Sequence, residues 1–366
     1  MVCQDVRGRY MSEGRFEDVR PYNPAKGPGE TDESSDTWDT IEWLLKKLPW
    51  DNGRVGMWGI SYPGFYASMG TIDAHPALVA TSPQAPIADW FIGDDFHHNG
   101  AFFLPHAFNF LSSFGKPRPE PTTKGEARFD HKTQDGYRFF LDAGPMPSYD
   151  RKYLKGEVAF WKEILSHDTY DAFWQARNTR PHLKGVRPAV LTVGGWFDAE
   201  DLFGALETYK AIERQSPGAY NRLVMGPWSH GGWAWGTGEA LGKVRFGQET
   251  APFFQERIEL PFFRYHLKGG DDPKLPEAWV FETGRNQWQA LDAWPPRDAK
   301  PLELFLSASG GLSRSAPAAA GEAFDEYVSD PAKPVPFVEE TAIGMTPEYM
   351  VADQRFAGRR PDVLVY

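Results

Sequence analysis

Three acidic residues in one short segment, Asp198, Glu200 and Asp201, have the spacing in this chain that most strongly indicates chemistry. They follow the apolar run 188–193, which predicts a buried strand, and they precede residues 202–214, whose apolar periodicity predicts a helix. An acid at a strand end can orient a catalytic histidine, and two neighbouring acids can bind a cationic group. The alternative is an ordinary helix start, in which Asp198 is the N-cap and the other two acids interact with the helix dipole.

A serine occupies a comparable position earlier in the chain. Ser61 lies in residues 59–64, Gly-Ile-Ser-Tyr-Pro-Gly, between a predicted strand at 55–59 and a helix that is predicted to start at Tyr62. This is the setting of a nucleophile elbow, a sharp turn that exposes the serine hydroxyl above a sheet. Pro63 stands where the motif usually has glycine, so an ordinary glycine-rich turn is the alternative. If Ser61 is the nucleophile, the backbone N–H of Tyr62 is one oxyanion donor.

A histidine completes the set. His230 follows the predicted strand 222–225 in the run 226–230, Gly-Pro-Trp-Ser-His. By itself it could be an ordinary loop histidine. However, Ser61, Asp198 and His230 occur in the chain order of one triad class, each at a strand end, and active sites of open α/β sheets lie at the carboxyl ends of strands. The three positions together favour a Ser-Asp-His triad.

The elements around these residues predict an α/β fold with three parts. Strands that alternate with helices over residues 1–89 and 186–268 predict a parallel sheet, which would be the catalytic domain. Residues 90–185 are rich in aromatic residues and carry broken helical patterns, which predicts a helical cap. Residues 269–366 contain short strand patterns at 278–282 and 302–306 among prolines and glycines, which predicts a β domain.

Composition excludes several classes of function. The 366 residues carry a net charge of −11, which argues against a nucleic-acid partner, and no run of eighteen apolar residues predicts a membrane span. A single cysteine, Cys3, allows no intramolecular disulfide and no cysteine-based metal site. The group Asp94, Asp95, His97 and His98 suggests metal ligands, but adjacent histidines on a helix would point in different directions. No metal and no cofactor is therefore expected.

The runs 59–64, 195–198 and 226–230, together with Asp-Val-Arg-Gly at 5–8, resemble a known family. It is the cocaine-esterase/glutaryl-acylase (CocE/NonD) type of X-Pro dipeptidyl-peptidase-like serine hydrolases, and the α-amino-acid ester hydrolases within it are the most similar. The resemblance implies an α/β-hydrolase fold with a cap and a jelly-roll-like domain. It also implies that Asp95, Glu200 and Asp201 bind the α-ammonium group of a small ester or amide substrate.

The implied reaction is hydrolysis or acyl transfer of α-amino-acid esters and amides, including β-lactam antibiotics, through an acyl-enzyme. A general carboxylesterase or an X-Pro dipeptidyl-peptidase-like hydrolase is the first alternative, and an inactive truncated fragment is the second. The resemblance implies a periplasmic or secreted protein, although residues 1–8 lack the pattern of a signal peptide. Neither the compartment nor the formation of a homo-oligomer can be predicted.

A fragment is expected because the resemblance places a second oxyanion donor, a tyrosine hydroxyl, upstream of the Asp-Val-Arg-Gly run. That run begins at Asp5, which leaves no room for the tyrosine. Residues 1–8 and 363–366 also have the character of strand ends. We therefore expect a chain without the first strands of the sheet and with a shortened β domain. Loss of one oxyanion donor typically lowers the rate by about 10²–10³-fold.

Overall fold

A six-stranded sheet forms the centre of the molecule. The computed structural model describes residues 1–49, 52–317 and 324–366. The strands are β1 (Val55–Ile60), β2 (Leu78–Gln84), β3 (His97–His98), β4 (Ala101–Phe102), β5 (Ala189–Gly195), β6 (Asn221–Gly226), β7 (Ala240–Leu241), β8 (Val244–Arg245), β9 (Ala278–Glu282), β10 (Gln287–Leu291), β11 (Phe305–Ser307) and β12 (Gly311–Ser313). The central sheet has the order β1-β2-β5-β6-β9-β10. Its first five strands are parallel, and β10 runs antiparallel to β9. The predicted parallel α/β sheet is confirmed.

Helices cover both faces of this sheet. They are α1 (Glu33–Lys47), α2 (Tyr62–Thr71), α3 (Leu104–Phe114), α4 (Gly136–Ala143), α5 (Pro147–Tyr149), α6 (Ala159–Ser166), α7 (Ala172–Ala176), α8 (Leu202–Gln215), α9 (Thr250–Phe254), α10 (Leu260–Lys268) and α11 (Arg355–Gly358). Two π-helical segments, Asp150–Leu154 and Gln255–Glu259, continue α5 and α9.

Side chains alternate between the faces of β5 and sort these helices into two layers. Val190 belongs to the apolar cluster that contains residues of α2 and α8, such as Phe65 and Ile212. The next residue, Leu191, belongs to the cluster that contains residues from the α9–α10 segment, such as Phe262. Burial on both faces explains the continuous apolar run of β5 and fixes the strand ends that carry the candidate residues.

Residues between β2 and β5 hold the small β3–β4 ribbon and helices α3 to α7. Their core is aromatic and centres on the fully buried Phe108 of α3. Its ring lies within 6.1 Å of the rings of Phe129, Tyr149 and Trp161, among others. The helical character predicted for the cap region is thus present, and α3 extends from this core toward the strand ends.

The C-terminal part differs from the prediction. Strand β9 was expected in a separate β domain, but it pairs with β6 in parallel, with Leu223 opposite Ala278. The β9–β10 hairpin therefore extends the catalytic sheet, because Ala278 and Val280 pack against the apolar residues of β6. After β10, the described residues contain only the β11–β12 ribbon and short helical turns. The division into domains otherwise stays a prediction.

The two ends of the chain also differ from the prediction, because residues 1–8 and 363–366 form no strand. Arg7 instead forms an ion pair with Asp36 of α1, in which its Nε donates to Asp36 Oδ2 at 2.7 Å. Within the described ranges, none of the helices has both the length and the apolar character that a membrane span requires.

Candidate active site

Ser61 sits in a strained turn between β1 and α2. Its φ is 68°, in the left-handed region that a residue other than glycine seldom adopts, and its N–H donates to Gln84 O at 2.9 Å. The turn leaves no space for side chains beside it: a Cβ on Gly59 would lie 2.4 Å from Pro63 O, and one on Gly64 would lie 2.4 Å from Gln84 O. This conformation is that of a nucleophile elbow, and an ordinary turn does not require it. Pro63 is accommodated because it lies in the first turn of α2.

Asp198 and His230 form a hydrogen-bonded pair at the ends of β5 and β6. His230 Nδ1 lies 3.1 Å from Oδ1 and 3.0 Å from Oδ2 of Asp198, whose side chain is fully buried. Asp198 Oδ1 also accepts hydrogen bonds from the backbone N–H groups of Glu200 and Asp201, at 2.8 and 3.0 Å. These contacts fix the carboxylate, which in turn orients the imidazole ring.

Gln84, at the end of β2, links the serine turn to the histidine loop. Its carbonyl accepts from Ser61 N, and its side-chain Oε1 accepts from Trp233 Nε1 at 2.7 Å. A Cβ on Gly231, next to His230, would lie 3.7 Å from Ile60 Cγ2. The loop that carries His230 therefore lies against the turn that carries Ser61. The Ser61 hydroxyl and His230 form no hydrogen bond between them.

Tyr62, the residue after the candidate nucleophile, is the first residue of α2. Backbone N–H groups in the first turn of a helix have no partner within the helix. Its position is therefore compatible with the predicted oxyanion donor. The Tyr62 side chain is buried, and its hydroxyl accepts from Val19 N at 2.7 Å.

The segment that carries Asp95 is fastened to the β5–α8 loop. Asp95 N donates to Glu200 O at 2.9 Å, and Asp95 itself has a φ of 44°. The buried carboxyl of Asp94 accepts from the backbone N–H of Gly204 in α8 and from Ala88, both at 2.7 Å. Asp94 thus has a structural role, and it brings the carboxylates of Asp95 and Glu200 to one place.

His106, in the first turn of α3, lies between these two carboxylates. Its Nε2 is 3.2 Å from Asp95 Oδ1 and 3.7 Å from Glu200 Oε2. The other Asp95 oxygen accepts from Trp90 Nε1 at 2.7 Å. Sequence reasoning missed His106, because its spacing bears no periodic relation to either acid and only the tertiary fold brings the three residues together.

Asp201 occupies a different place from the other two predicted ammonium-binding acids. Its side chain is fully buried, and neither carboxyl oxygen has a hydrogen-bond partner among the described residues. Its Oδ2 lies 3.8 Å from His230 Nδ1, the ring nitrogen that faces Asp198. Asp95 and Glu200 face His106 and, in the case of Glu200, also His230 Nε2 at 3.6 Å. The fold thus brings all the predicted acids close to His230, with Asp201 on the Asp198 side.

The charged groups of this cluster shift one another's pKa values because they are buried close together. Burial favours a neutral His230, but Asp198, Glu200 and Asp95 outweigh it and raise the pKa of His230 to about 10. Burial likewise opposes a charged His106, yet Asp95 and Glu200 raise its pKa above the ordinary histidine value.

The pKa values of the acids shift in opposite directions. Burial opposes ionisation of Asp95, but His106, His230 and Trp90 Nε1 lower its pKa. Burial raises the pKa of Glu200 and, together with the neighbouring acids, raises that of Asp201 far above its usual range. These shifts favour the protonated forms of Asp201 and of both histidines.

One ligand atom each from Asp95, His106 and Glu200 lies within 4.8 Å of the others, so this group could hold a cation, either an ammonium or a metal ion. The residues considered earlier as metal ligands are arranged differently. His97 is buried, and its Nδ1 contacts Trp90 O at 3.0 Å, while His98 is exposed.

Comparisons with known proteins show the family of the chain. Residues 1–232 match the X-Pro dipeptidyl-peptidase (S15) family, and the chain belongs to that family. The chain is 27% identical to cocaine esterase from Rhodococcus sp. (strain MB1 Bresler) in an alignment that covers all of this chain and 63% of the esterase.

Two solved structures share the fold and thus confirm the expected α/β-hydrolase fold. An α-amino acid ester hydrolase superposes with a TM-score of 0.88 at 36% identity, over 98% of this chain and 60% of its own. An aminopeptidase from the marine sediment archaeon Thaumarchaeota archaeon gives 0.87 at 37% identity, over 98% and 59%. The chain therefore spans about three fifths of the length of these relatives.

Proposed function

We propose that this chain carries the catalytic site of a serine hydrolase that acts on esters or amides of α-amino acids. The observation that carries the proposal is the convergence of Asp95 and Glu200 beside His230, which offers a site for a cation next to the nucleophile elbow. Two structures similar to this chain are named as an α-amino acid ester hydrolase and an aminopeptidase, and both names denote substrates with an α-amino group. These names support the proposal.

In the proposed reaction, His230 Nε2 takes the proton of the Ser61 hydroxyl as Oγ attacks the substrate carbonyl. The Tyr62 N–H stabilises the resulting oxyanion, and His230 returns the proton to the leaving alcohol or amine. Water then hydrolyses the Ser61 acyl-enzyme by the same steps in reverse, or an amine such as a β-lactam nucleus accepts the acyl group. Asp198 holds the ring in the required orientation through Nδ1.

The acids provide the selectivity in this proposal. A carboxylate about 4 Å from an ammonium group gains roughly 4 kcal/mol at an effective dielectric constant near 20, before desolvation.

Hydrolysis of phenylglycine methyl ester and of its deaminated analogue, methyl phenylacetate, tests the proposal. We expect the amino ester to have a higher kcat/KM, on the order of 10²-fold. Glu200→Gln should remove most of this preference, while Glu239→Gln, at an exposed position, should retain it. Equal kcat/KM values for the two esters in the unmodified protein would contradict the proposal and indicate a general carboxylesterase.

Labelling with a fluorophosphonate distinguishes an active serine hydrolase of either specificity from an inactive chain. If Ser61 is activated by His230, the unmodified protein should be labelled, whereas Ser61→Ala and His230→Ala should not be. An unlabelled unmodified protein that is folded, as judged by circular dichroism, would instead support the inactive-fragment reading. An X-Pro p-nitroanilide substrate tests the dipeptidyl-peptidase alternative in the same preparation.

A further inference from the structure

We propose that His106 is a specificity-determining residue, whose imidazolium occupies the substrate ammonium position between Asp95 and Glu200 in the free protein and gives it up on binding. The inference rests on the proposed function and deepens it. The ligand class is a primary ammonium group on an α-amino-acid derivative.

The distances place the ring nitrogen where an ammonium group would bind. His106 Nε2 lies 3.2 Å from Asp95 Oδ1 and 3.7 Å from Glu200 Oε2. An ammonium group that donates to both carboxylates must approach each oxygen to about 3 Å, which is nearly the same point. Two cations cannot share it, because they repel each other and compete for the same acceptors. Either the ring loses its proton and turns, or the ammonium does not bind.

A buried carboxyl group without a hydrogen-bond partner provides a second, independent observation. Both carboxyl oxygens of Asp201 lack a hydrogen-bond partner among the described residues, although the side chain is fully buried. Buried carboxyl groups are normally hydrogen-bonded, so Asp201 leaves unused acceptor capacity beside His230. The acids around His230 can thus accept more hydrogen bonds than the free protein donates to them.

His106 is surrounded by groups of both signs. Asp95 and Glu200 favour the charged ring, while His230 across the site and His98 from β3 oppose it. Phe96 and Phe103 lie beside the ring, with centroid distances of 6.0 and 5.7 Å. Although burial lowers the pKa of His106, the two acids raise it overall and so favour the charged ring. A cationic ligand that contacts both acids must therefore take the place of this ring nitrogen.

The consequence that can be measured is proton release. We expect 2-phenylglycinol, an amine without a hydrolysable bond, to release more protons on binding to the unmodified chain than on binding to His106→Gln. The difference should approach one proton per ligand below the pKa of His106. Calorimetry in buffers with different ionisation enthalpies measures this number, and the comparison separates His106 from His230, which is present in both proteins. Equal proton release in the two proteins would overturn the inference.

A neutral variant and a positively charged variant test the same idea through affinity. Glutamine mimics a ring fixed in its neutral form, so His106→Gln should bind phenylglycinol with little dependence on pH. In the unmodified chain the affinity should fall about tenfold for each pH unit below the pKa of His106. Lysine fixes the positive charge, so His106→Lys should bind the amine at least about tenfold more weakly even at higher pH, with unchanged affinity for 2-phenylethanol.

His167→Gln is the matched control. His167 also lies between two carboxylates, with Nδ1 2.6 Å from Asp171 Oδ2 and Nε2 3.5 Å from Glu163 Oε2, but in the cap region. It should behave as the unmodified chain. If His106→Gln does not fold, absence of proton release from the unmodified chain still refutes the inference. Failure of phenylglycinol to bind any of these proteins would remove the ammonium site itself, and with it the proposed function.

Discussion

At the scale of single residues, His230 is the most constrained group, because carboxylates face both of its ring nitrogens. Asp198 lies 3.0 Å from Nδ1, and Glu200 lies 3.6 Å from Nε2. A ring in this position is stable as an imidazolium, yet a general base must be neutral. The same acid that is proposed to recognise the substrate thus also favours the protonated form of the base.

This coupling predicts a pH effect for Glu200→Gln. Removal of the negative charge beside Nε2 destabilises the imidazolium and so lowers the pKa of His230 from its value of about 10. The neutral base then persists to lower pH. The acidic limb of kcat/KM for methyl phenylacetate should therefore move to lower pH in the variant. Initial rates across the pH range measure this limb, and a shift toward higher pH would contradict the assignment of Glu200 as the partner of Nε2.

The residues of the proposed triad could be selected from the sequence, whereas His106 could not. Ser61, Asp198 and His230 each follow a strand whose apolar run identifies it, and strand ends of a parallel sheet meet at one edge. His106 contacts the acids only because α3 returns from the cap to the sheet, and that path depends on packing around Phe108. Local sequence carries no signal for such a path.

At the scale of elements, the turn that carries Ser61 requires glycine at positions 59 and 64, where a side chain would collide with backbone atoms. A Cβ on Gly59 would lie 2.4 Å from the carbonyl oxygen of Pro63. This oxygen belongs to the backbone, which cannot move away as a flexible side chain can. Strand β1 and helix α2 can meet at this angle only if position 59 is glycine.

Gly59→Ala should therefore abolish the labelling of Ser61 by a fluorophosphonate while it leaves the rest of the sheet largely intact. The reason is displacement of the turn, which moves Oγ away from His230. Labelling yield and far-ultraviolet circular dichroism together measure the effect. Gly125→Ala is the matched control, because a Cβ there meets no atom within 4 Å. Labelling of Gly59→Ala at the level of this control would show that the turn tolerates a side chain.

The prediction from sequence was weakest for elements that follow the last α/β repeat. Strand β9 was read as part of a separate β domain because the surrounding residues are rich in proline and glycine. Its place in the central sheet depends on pairing with β6, about 55 residues earlier in the chain, and on the apolar contacts of Ala278 and Val280. Pairing over such a distance leaves no local pattern, so only its strand character could be predicted.

At the scale of the whole molecule, the acid cluster links folding to pH. Asp201 is fully buried without a hydrogen-bond partner among the described residues, and burial together with neighbouring acids raises its pKa far above the usual range. The folded state thus favours the protonated carboxyl of Asp201 more strongly than the unfolded chain does. Below the unfolded-state pKa, Asp201 is protonated in both states and its contribution to folding stability is fully present. As the pH rises from there toward the folded-state pKa, the unfolded chain ionises first and this contribution is lost.

Asp201→Asn should remove this loss, because asparagine has nearly the same shape and needs no proton. The variant should be more stable than the unmodified chain at about pH 8, and its advantage should shrink at about pH 5, since each pKa unit corresponds to about 1.4 kcal/mol. Urea unfolding at both pH values measures the difference, and Asp298→Asn, at an exposed position, serves as the control. An equal effect of Asp201→Asn at both pH values would mean that Asp201 is ionised in the folded protein. Its two unpartnered oxygens would then have to be stabilised by His230 alone, at the 3.8 Å separation from Nδ1.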